Sequence, residues 1–164
     1  MLRWKKVLVP HDLTETAEPA VELAHGLAVT HGADLVLLHV SPLPAGMGAS
    51  SLIRHAGHDD AVTVEEFVTE GALRMLQERA TNLRAQGVEV RTIARVGEVS
   101  ETILQVARDE RVDVIVMGTH GRAGLGRLIL GSVAEKIVRQ AEVPVVTVRT
   151  PTVDTTTVAV PVTV

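Results

Sequence analysis

The sequence predicts an α/β protein, a single-domain, open, twisted five-stranded parallel sheet with helices on both faces. Nearly half of the 164 residues are apolar, yet the chain has one Trp, one Phe and no Tyr. Its core must therefore consist of Val, Leu, Ile and Ala, of which Val favours strands, whereas Ala and Leu favour helices. Val-rich segments also alternate with helical patterns along the chain, as they do in proteins built from βα crossovers.

The first half of the chain supplies two strands and two helices. Residues 6–10 form a short apolar run that ends in proline, and residues 34–40 are apolar on both faces, as in a covered parallel sheet. Residues 14–30 carry apolar side chains at helical spacing, with a threonine available as the N-terminal cap. Residues 41–60 show no periodicity and predict a long loop. Residues 64–86 predict a helix whose buried side holds Phe67, Leu73, Leu76, Ala80 and Leu83.

The second half continues the alternation of strands and helices. Residues 88–96 alternate in the manner of a strand, and residues 99–110 have the apolar spacing of a third helix. Residues 113–117 predict a fourth, buried strand. A helix over residues 132–141 and a strand over residues 143–148 complete the predicted set.

The C-terminal tail differs in character from the rest of the chain. Residues 151–164 consist of Thr, Val, Pro and Ala with one charge, Asp154. Residues 158–164 have strand propensity, but Pro161 restricts such a strand to the edge of a sheet. We therefore divide the chain into a domain over residues 1–150 and a tail that is either a frayed terminus or an edge strand.

Composition argues against several classes of protein. The formal net charge of −4 and the scarcity of aromatic residues disfavour a nucleic-acid binder. The absence of Cys excludes disulfides, thiolate metal sites and cysteine nucleophiles. The sequence contains neither the apolar core of a signal peptide nor a run long enough to span a bilayer. We expect a cytoplasmic protein that binds no nucleic acid and inserts into no membrane.

The glycine-rich segment from Gly118 to Ser132 is the strongest functional signal. It leaves a buried strand and enters a helix, which places it at the sheet edge where open α/β folds bind ligands. Gly118 allows backbone to approach a ligand closely. Gly121 and Gly124 allow the positive φ angles that turn successive N–H groups inward as an anion nest. These features predict a phosphate site.

The end of the same segment adds a helix N-terminus and two cations. Gly131 and Ser132 open a helix whose first N–H groups favour phosphate, and Arg122 and Arg127 can reach phosphate oxygens. Residues 126–132 have the glycine spacing of a P-loop, but Ser132 stands where the lysine must be. The dinucleotide pattern G-x-G-x-x-G is also not matched, so neither of these known motifs explains the segment.

A resemblance to a known family emerges from the spacing of these glycines. Gly118-x-x-Gly121, followed after nine residues by Gly131-Ser132, resembles the ATP-binding motif of the universal stress protein family. The resemblance implies an adenine nucleotide alpha hydrolase-like sheet in the order 3-2-1-4-5, which reverses between strands one and four to form a ligand crevice. It covers about residues 3–149 and extends to residues 7–12, 35–40, 97–103, 113–125 and 144–148.

The resemblance also implies which residues bind the ligand, ATP or its relatives AMP and ADP, with Mg²⁺ bridging the phosphate oxygens. Asp12 would lie at the ribose and adenine end, and the backbone of Val40 would meet the adenine edge. Val96 and Gly97 would wall the base pocket. The full set of implied contacts is Pro10, His11, Asp12, Val40, Val96, Gly97, Met117, Gly118, Gly121, Arg122, Gly131, Ser132 and Val133.

One local departure from the family pattern follows the first strand. Where the family often has Asp-Gly-Ser, this chain has Asp12-Leu13-Thr14. Thr14 can replace the hydroxyl cap, whereas Leu13 lacks the backbone freedom of glycine.

Three functional hypotheses remain open at this stage. The first is a regulatory nucleotide-binding protein of the stress response that acts through an unidentified partner protein. The second is a weak ATPase or phosphotransferase at the same cleft, and the third is a nucleotide-independent dimeric scaffold. No catalytic residue is assigned: Ser132 lacks a G-x-S-x-G elbow, and His11 and His120 are more simply loop residues than proton carriers.

Two further expectations concern assembly and metal binding. The fifth strand should be a sheet edge, and exposed edges invite pairing. The resemblance likewise implies a homodimer at that edge. His55 and His58 lie close together in sequence beside two aspartates, but we interpret them as a solvated polar loop because a fourth ligand is not evident.

Overall fold

Five parallel strands form the central sheet of the protein. The computed structural model describes residues 3–43, 45–54, 60–119 and 130–149. Within these ranges its strands are β1 (Lys6–Pro10), β2 (Asp34–Ser41), β5 (Val90–Val96), β6 (Val114–Gly118) and β7 (Val145–Val148). The sheet has the order β5-β2-β1-β6-β7, which is the predicted order 3-2-1-4-5 of the main strands.

A small antiparallel pair lies outside this sheet, and its first strand falls within the segment predicted to be a loop. Strand β3 (Leu52–Ile53) pairs with β4 (Val62–Thr63). The prediction of a long loop over residues 41–60 was therefore wrong at Leu52 and Ile53, and also at Ser41, which ends β2. Two residues per strand are too few to produce a periodic pattern, so periodicity could not reveal these strands. The proposed loop histidines, His55 and His58, lie outside the described residues.

Helices cover both faces of the sheet, as predicted. A 3-10 turn (Glu15–Ala17) leads into the first helix. In the described residues, apolar side chains of α1 and α2 pack with Val7, Val9 and Leu35 on one face, and those of α3 and α4 pack with Leu8 and Val36 on the other. The helices are α1 (Glu18–His31), α2 (Val64–Arg84), α3 (Val99–Asp109) and α4 (Ser132–Gln140).

The buried stripe of α2 corrects one predicted core residue. Leu76, Ala80 and Leu83 are buried as expected, but Phe67 is 41% exposed. Leu76 lies nine positions after Phe67, and at about 100° per residue the two side chains project about 180° apart around the helix. The aromatic side chain therefore lies on the face opposite the core.

In the described ranges, none of the helices is both long and apolar enough to cross a membrane.

Candidate functional site

The strand order reverses beside β1, and in open α/β sheets such a reversal forms a ligand crevice at the carboxyl edge. Strand β1 pairs with β2 on one side, with Pro10 opposite Leu38, and with β6 on the other. The last residues of β1 and β6, Pro10 and Gly118, therefore lie at the same edge. Val40, near the end of β2, and Gly118, at the end of β6, lie on opposite sides of β1 at this edge.

Most of the implied ligand contacts lie at this edge. His11 and Asp12 follow β1, Gly97 follows β5, and α4 begins beside the end of β6. The described members of the set lie on or directly after β1, β2, β5 and β6 or at the start of α4. They are Pro10, His11, Asp12, Val40, Val96, Gly97, Met117, Gly118, Gly131, Ser132 and Val133. Gly121 and Arg122 lie outside the described residues, as do His120, Gly124 and Arg127. The contact of each residue with a ligand stays a prediction.

The turn after β1 is organised around the carboxylate of Asp12. Its Oδ1 accepts hydrogen bonds from the Thr14 N–H at 3.0 Å and from the Thr14 hydroxyl at 2.7 Å. Its Oδ2 accepts one from the Thr16 hydroxyl at 3.1 Å. Leu13, between Asp12 and Thr14, has a left-handed φ of +64°. The chain thus adopts at Leu13 the conformation that glycine ordinarily supplies.

His11 is buried at the start of this turn, with both ring nitrogens in contact with the protein. Its Nδ1 accepts the N–H of Leu13 at 2.9 Å, and its Nε2 lies 3.4 Å from Glu18 Oε1. The other carboxylate oxygen of Glu18 accepts a hydrogen bond from Arg79 Nε at 2.7 Å. Three elements, the end of β1, α1 and α2, therefore meet through one chain of polar contacts.

A second buried histidine, His39, supports the same turn and was missed by the sequence analysis. It is 7% exposed on β2. Its Nδ1 donates to the His11 carbonyl at 2.7 Å, and its Nε2 accepts from the Ser41 hydroxyl at 2.9 Å. A histidine inside an otherwise apolar strand was the available signal, since a buried polar side chain requires a hydrogen-bond partner.

The N-terminus of α4 lies beside the end of β6. The Gly131 N–H donates to the Thr119 carbonyl at 2.9 Å, and the Thr119 N–H donates to Val148 at 2.9 Å. The first helical bond of α4 runs from Glu135 to Gly131. The N–H groups of the first turn, beginning at Ser132, therefore have no partner within the helix, and the helix dipole adds to their preference for an anion.

Surface ion pairs connect α4 with α3. Lys136 Nζ lies 3.2 Å from Glu101 Oε1 and 3.4 Å from Glu98 Oε2. Glu98 caps α3 by accepting the Glu101 N–H at 2.6 Å, and this bond lowers the pKa of Glu98 below its usual 4.5. The hydrogen bond to Glu101 raises the pKa of Lys136. The second turn of α4 is therefore linked to the helix that follows Gly97.

Comparison with curated proteins gives a consistent family. The model described as the Universal stress protein family matches residues 3–149. Universal stress protein MJ0577 of Methanocaldococcus jannaschii is 33% identical over 156 residues, which cover 89% of this chain and 95% of that protein. A universal stress protein of Thermus aquaticus, from the QAH/OAS sulfhydrylase 3' region, is 34% identical over 153 residues, covering 89% and 99% respectively.

Solved structures share the fold. Hypothetical protein MJ0577 has a TM-score of 0.72 at 29% identity, covering 92% of this chain and 99% of that one. A universal stress protein in complex with cAMP has a TM-score of 0.65 at 19% identity, covering 92% and 100%. The universal stress protein of Archaeoglobus fulgidus in complex with dAMP has a TM-score of 0.61 at 21% identity, covering 90% and 98%.

Proposed function

The chain belongs to the universal stress protein family, and on that premise we propose that it binds ATP, or the related AMP or ADP, in the crevice between β1 and β6. The Gly131–Thr119 hydrogen bond carries this proposal, because it holds the open N-terminus of α4 beside the strand-order reversal. Adenine nucleotides occupy two proteins of similar fold, in the complexes with cAMP and dAMP.

The nucleotide is proposed to lie across the carboxyl edge of the sheet. The base lies against the backbone of Val40 and beside Val96 and Gly97. Asp12 and Gly118 flank the ribose. The remaining proposed contacts are Pro10, His11 and Met117 near the nucleoside, and Gly121, Arg122, Gly131, Ser132 and Val133 around the phosphates.

The phosphate end has a donor set suited to an anion. Backbone N–H groups at the start of α4, beginning at Ser132, can bind a phosphate without a charged side chain. In the proposal, Arg122 adds a cation. We include Mg²⁺ in the proposal as an ion that bridges the phosphate oxygens, because Mg²⁺ in proteins commonly retains phosphate and water ligands.

Gly131→Val tests the phosphate site directly. Gly131 has φ −59° and ψ 150°, a conformation that other residues also adopt. Valine therefore adds bulk beside the α4 N–H groups without straining the backbone. We expect ATP binding to fall below detection in calorimetry of protein freed of copurified nucleotide, with an unchanged circular dichroism spectrum. Gly26→Val on α1, where an added Cβ has nothing within 4 Å, is the matched control and should bind ATP as the parent does.

Two results would contradict the proposal. If the nucleotide-free parent binds no ATP, AMP or ADP, the cleft has another role. If Gly131→Val binds ATP as tightly as the parent, the phosphates lie elsewhere. Mass spectrometry of nucleotide released from the heated, freshly purified protein identifies which of the three it carries.

The cellular role is proposed to be regulatory. The bound nucleotide would set a state of the protein that an unidentified partner recognises in the cytoplasm during the stress response. Pull-down of cellular proteins by the parent and by Gly131→Val tests the regulatory role: a partner retained equally by both proteins would contradict it.

We also propose that residues 1–150 form the functional domain, that residues 151–164 are a separate tail, and that two chains pair through the β7 edge.

A further inference from the structure

The turn between β1 and α1 holds a leucine in the left-handed region of backbone conformation. In the described residues, Leu13 (φ +64°) and Arg111 (φ +52°) are the non-glycine residues with positive φ. This region crowds Cβ against the carbonyl, and leucine has no polar side-chain atom to offset the cost as asparagine does. Another group in the turn must therefore stabilise this conformation.

The imidazole of His11 is placed to do so. Its Nδ1 accepts the N–H of Leu13 at 2.9 Å, which is the bond that asparagine makes two residues ahead in an Asx turn. Because the Leu13 N–H is the donor, Nδ1 carries no proton and Nε2 carries it. Nε2 lies 3.4 Å from Glu18 Oε1, and the His11 side chain is 7% exposed.

Contacts from two other elements hold His11 in place. Arg79 on α2 donates to Glu18 Oε2 at 2.7 Å, which fixes the carboxylate that faces the ring. His39 on β2 donates to the His11 carbonyl at 2.7 Å, and the His11 N–H donates to Leu38 at 2.8 Å. Both the backbone and the ring of His11 are therefore constrained, so that Nδ1 is a fixed acceptor.

We propose that His11 is a positioning residue whose Nδ1 stabilises the left-handed conformation of Leu13 and thereby sets the backbone that presents Asp12. The carboxylate of Asp12 is bonded to Thr14 and Thr16, so a change of backbone at Leu13 displaces the whole turn. The inference rests on the proposed function, because it assigns His11 a task at the same nucleotide site.

A double-mutant cycle tests this role, with ATP as the probe. We expect His11→Ala to weaken ATP binding about tenfold, since the left-handed conformation loses its compensating bond. Leu13→Gly removes the need for that bond, so His11→Ala in the Leu13→Gly background should change the affinity less than about threefold. An equal loss in both backgrounds would overturn the proposal, because His11 would then act independently of Leu13.

Two control variants separate the backbone effect from other causes. Leu13→Ala removes most of the same side chain but keeps a Cβ, so it should not rescue His11→Ala. His11→Asn keeps an acceptor for the N–H two residues ahead but loses the contact with Glu18, so it should lose less ATP affinity than His11→Ala does. Binding by His11→Asn as weak as that by His11→Ala would contradict the proposed role of the acceptor.

A second measurement distinguishes failure of this inference from failure of the proposed function. If the nucleotide-free parent does not bind ATP, the proposed nucleotide site is incorrect. The same four variants are then compared by their urea midpoints of unfolding. His11→Ala should then lower the midpoint more in the parent than in the Leu13→Gly background. Equal lowering in both would overturn the link between His11 and Leu13.

Discussion

At the scale of single residues, Gly97 shapes the base end of the proposed site. Its φ is +157°, and a Cβ added there would lie 2.7 Å from the Thr102 hydroxyl oxygen. Its N–H donates to the Ser41 carbonyl at 3.0 Å, which extends the pairing of β5 with β2 by one residue. Glycine therefore lets the chain leave β5 and enter α3 without a steric conflict.

We predict that Gly97→Ala lowers the free energy of unfolding by about 1–3 kcal/mol, because the added methyl meets Thr102 in a strained backbone conformation. Urea denaturation measures the change. Gly26→Ala is the matched control, since its Cβ has nothing within 4 Å in the interior of α1. It should raise the free energy of unfolding by about 0.5–1 kcal/mol. Equal effects of the two substitutions would refute the steric explanation.

At the scale of elements, acidic caps define where α2 and α3 begin. Thr63 and Glu66 form a reciprocal capping box at the start of α2, and Glu98 caps α3. The Thr63 backbone N–H and hydroxyl donate to the Glu66 carboxylate and lower its pKa below 4.5. These local bonds satisfy N–H groups that have no helical partner, and they fix the ends of both helices.

The lowered pKa of Glu66 predicts a pH-dependent contribution to stability. A carboxyl group whose pKa is lower in the folded state stabilises the protein above the unfolded value, here 4.5, and this contribution is lost as pH falls through the folded pKa. We expect Glu66→Ala to lower the urea midpoint at pH 7 and to have a smaller effect near pH 3. Glu66→Gln keeps the capping bond without the charge. The urea midpoints of Glu66→Gln and Glu66→Ala should therefore differ by the same amount at every pH.

At the scale of the whole molecule, β7 forms an edge of the sheet within the described residues. The carbonyls of Pro144 and Val148 accept hydrogen bonds from Ile115 and Thr119, on the β6 side. Because the backbone groups of successive strand residues point to opposite sides, the N–H and carbonyl groups of Thr147 point away from β6. The backbone groups of β7 that point away from β6 can pair with a strand of a second chain.

We predict that Thr147→Pro converts the proposed dimer into a monomer. Proline removes an N–H group on the outward side and leaves the bonds between β6 and β7 in place. Thr147→Val keeps the N–H and is the matched control. Light scattering over a range of concentrations should find a dimer for the parent and for Thr147→Val, and a monomer for Thr147→Pro. A dimeric Thr147→Pro, or a monomeric parent, would contradict the proposed interface.

Sequence patterns predicted the main elements closely because each pattern reflects a local physical cause. β1 spans residues 6–10 as predicted, and β2 extends the predicted strand by one residue. Strands covered on both faces are continuous apolar runs, which are recognisable without knowledge of their neighbours. The start of α1 differs from the prediction because of its cap. The helix begins at Glu18 rather than residue 14, since Thr14 caps the 3-10 turn that precedes it.

The fold class and the alternation of strands and helices follow from sequence patterns, which also predict a phosphate site between Gly118 and Ser132. Tertiary contacts decided how His11, at the start of the turn after β1, is held in place. Arg79 reaches Glu18 across 61 positions of sequence, and His39 reaches His11 across 28. No periodicity or spacing encodes such contacts, because they exist only when α2 and β2 pack beside the end of β1. A leucine at a left-handed position is understandable only with that packing in place.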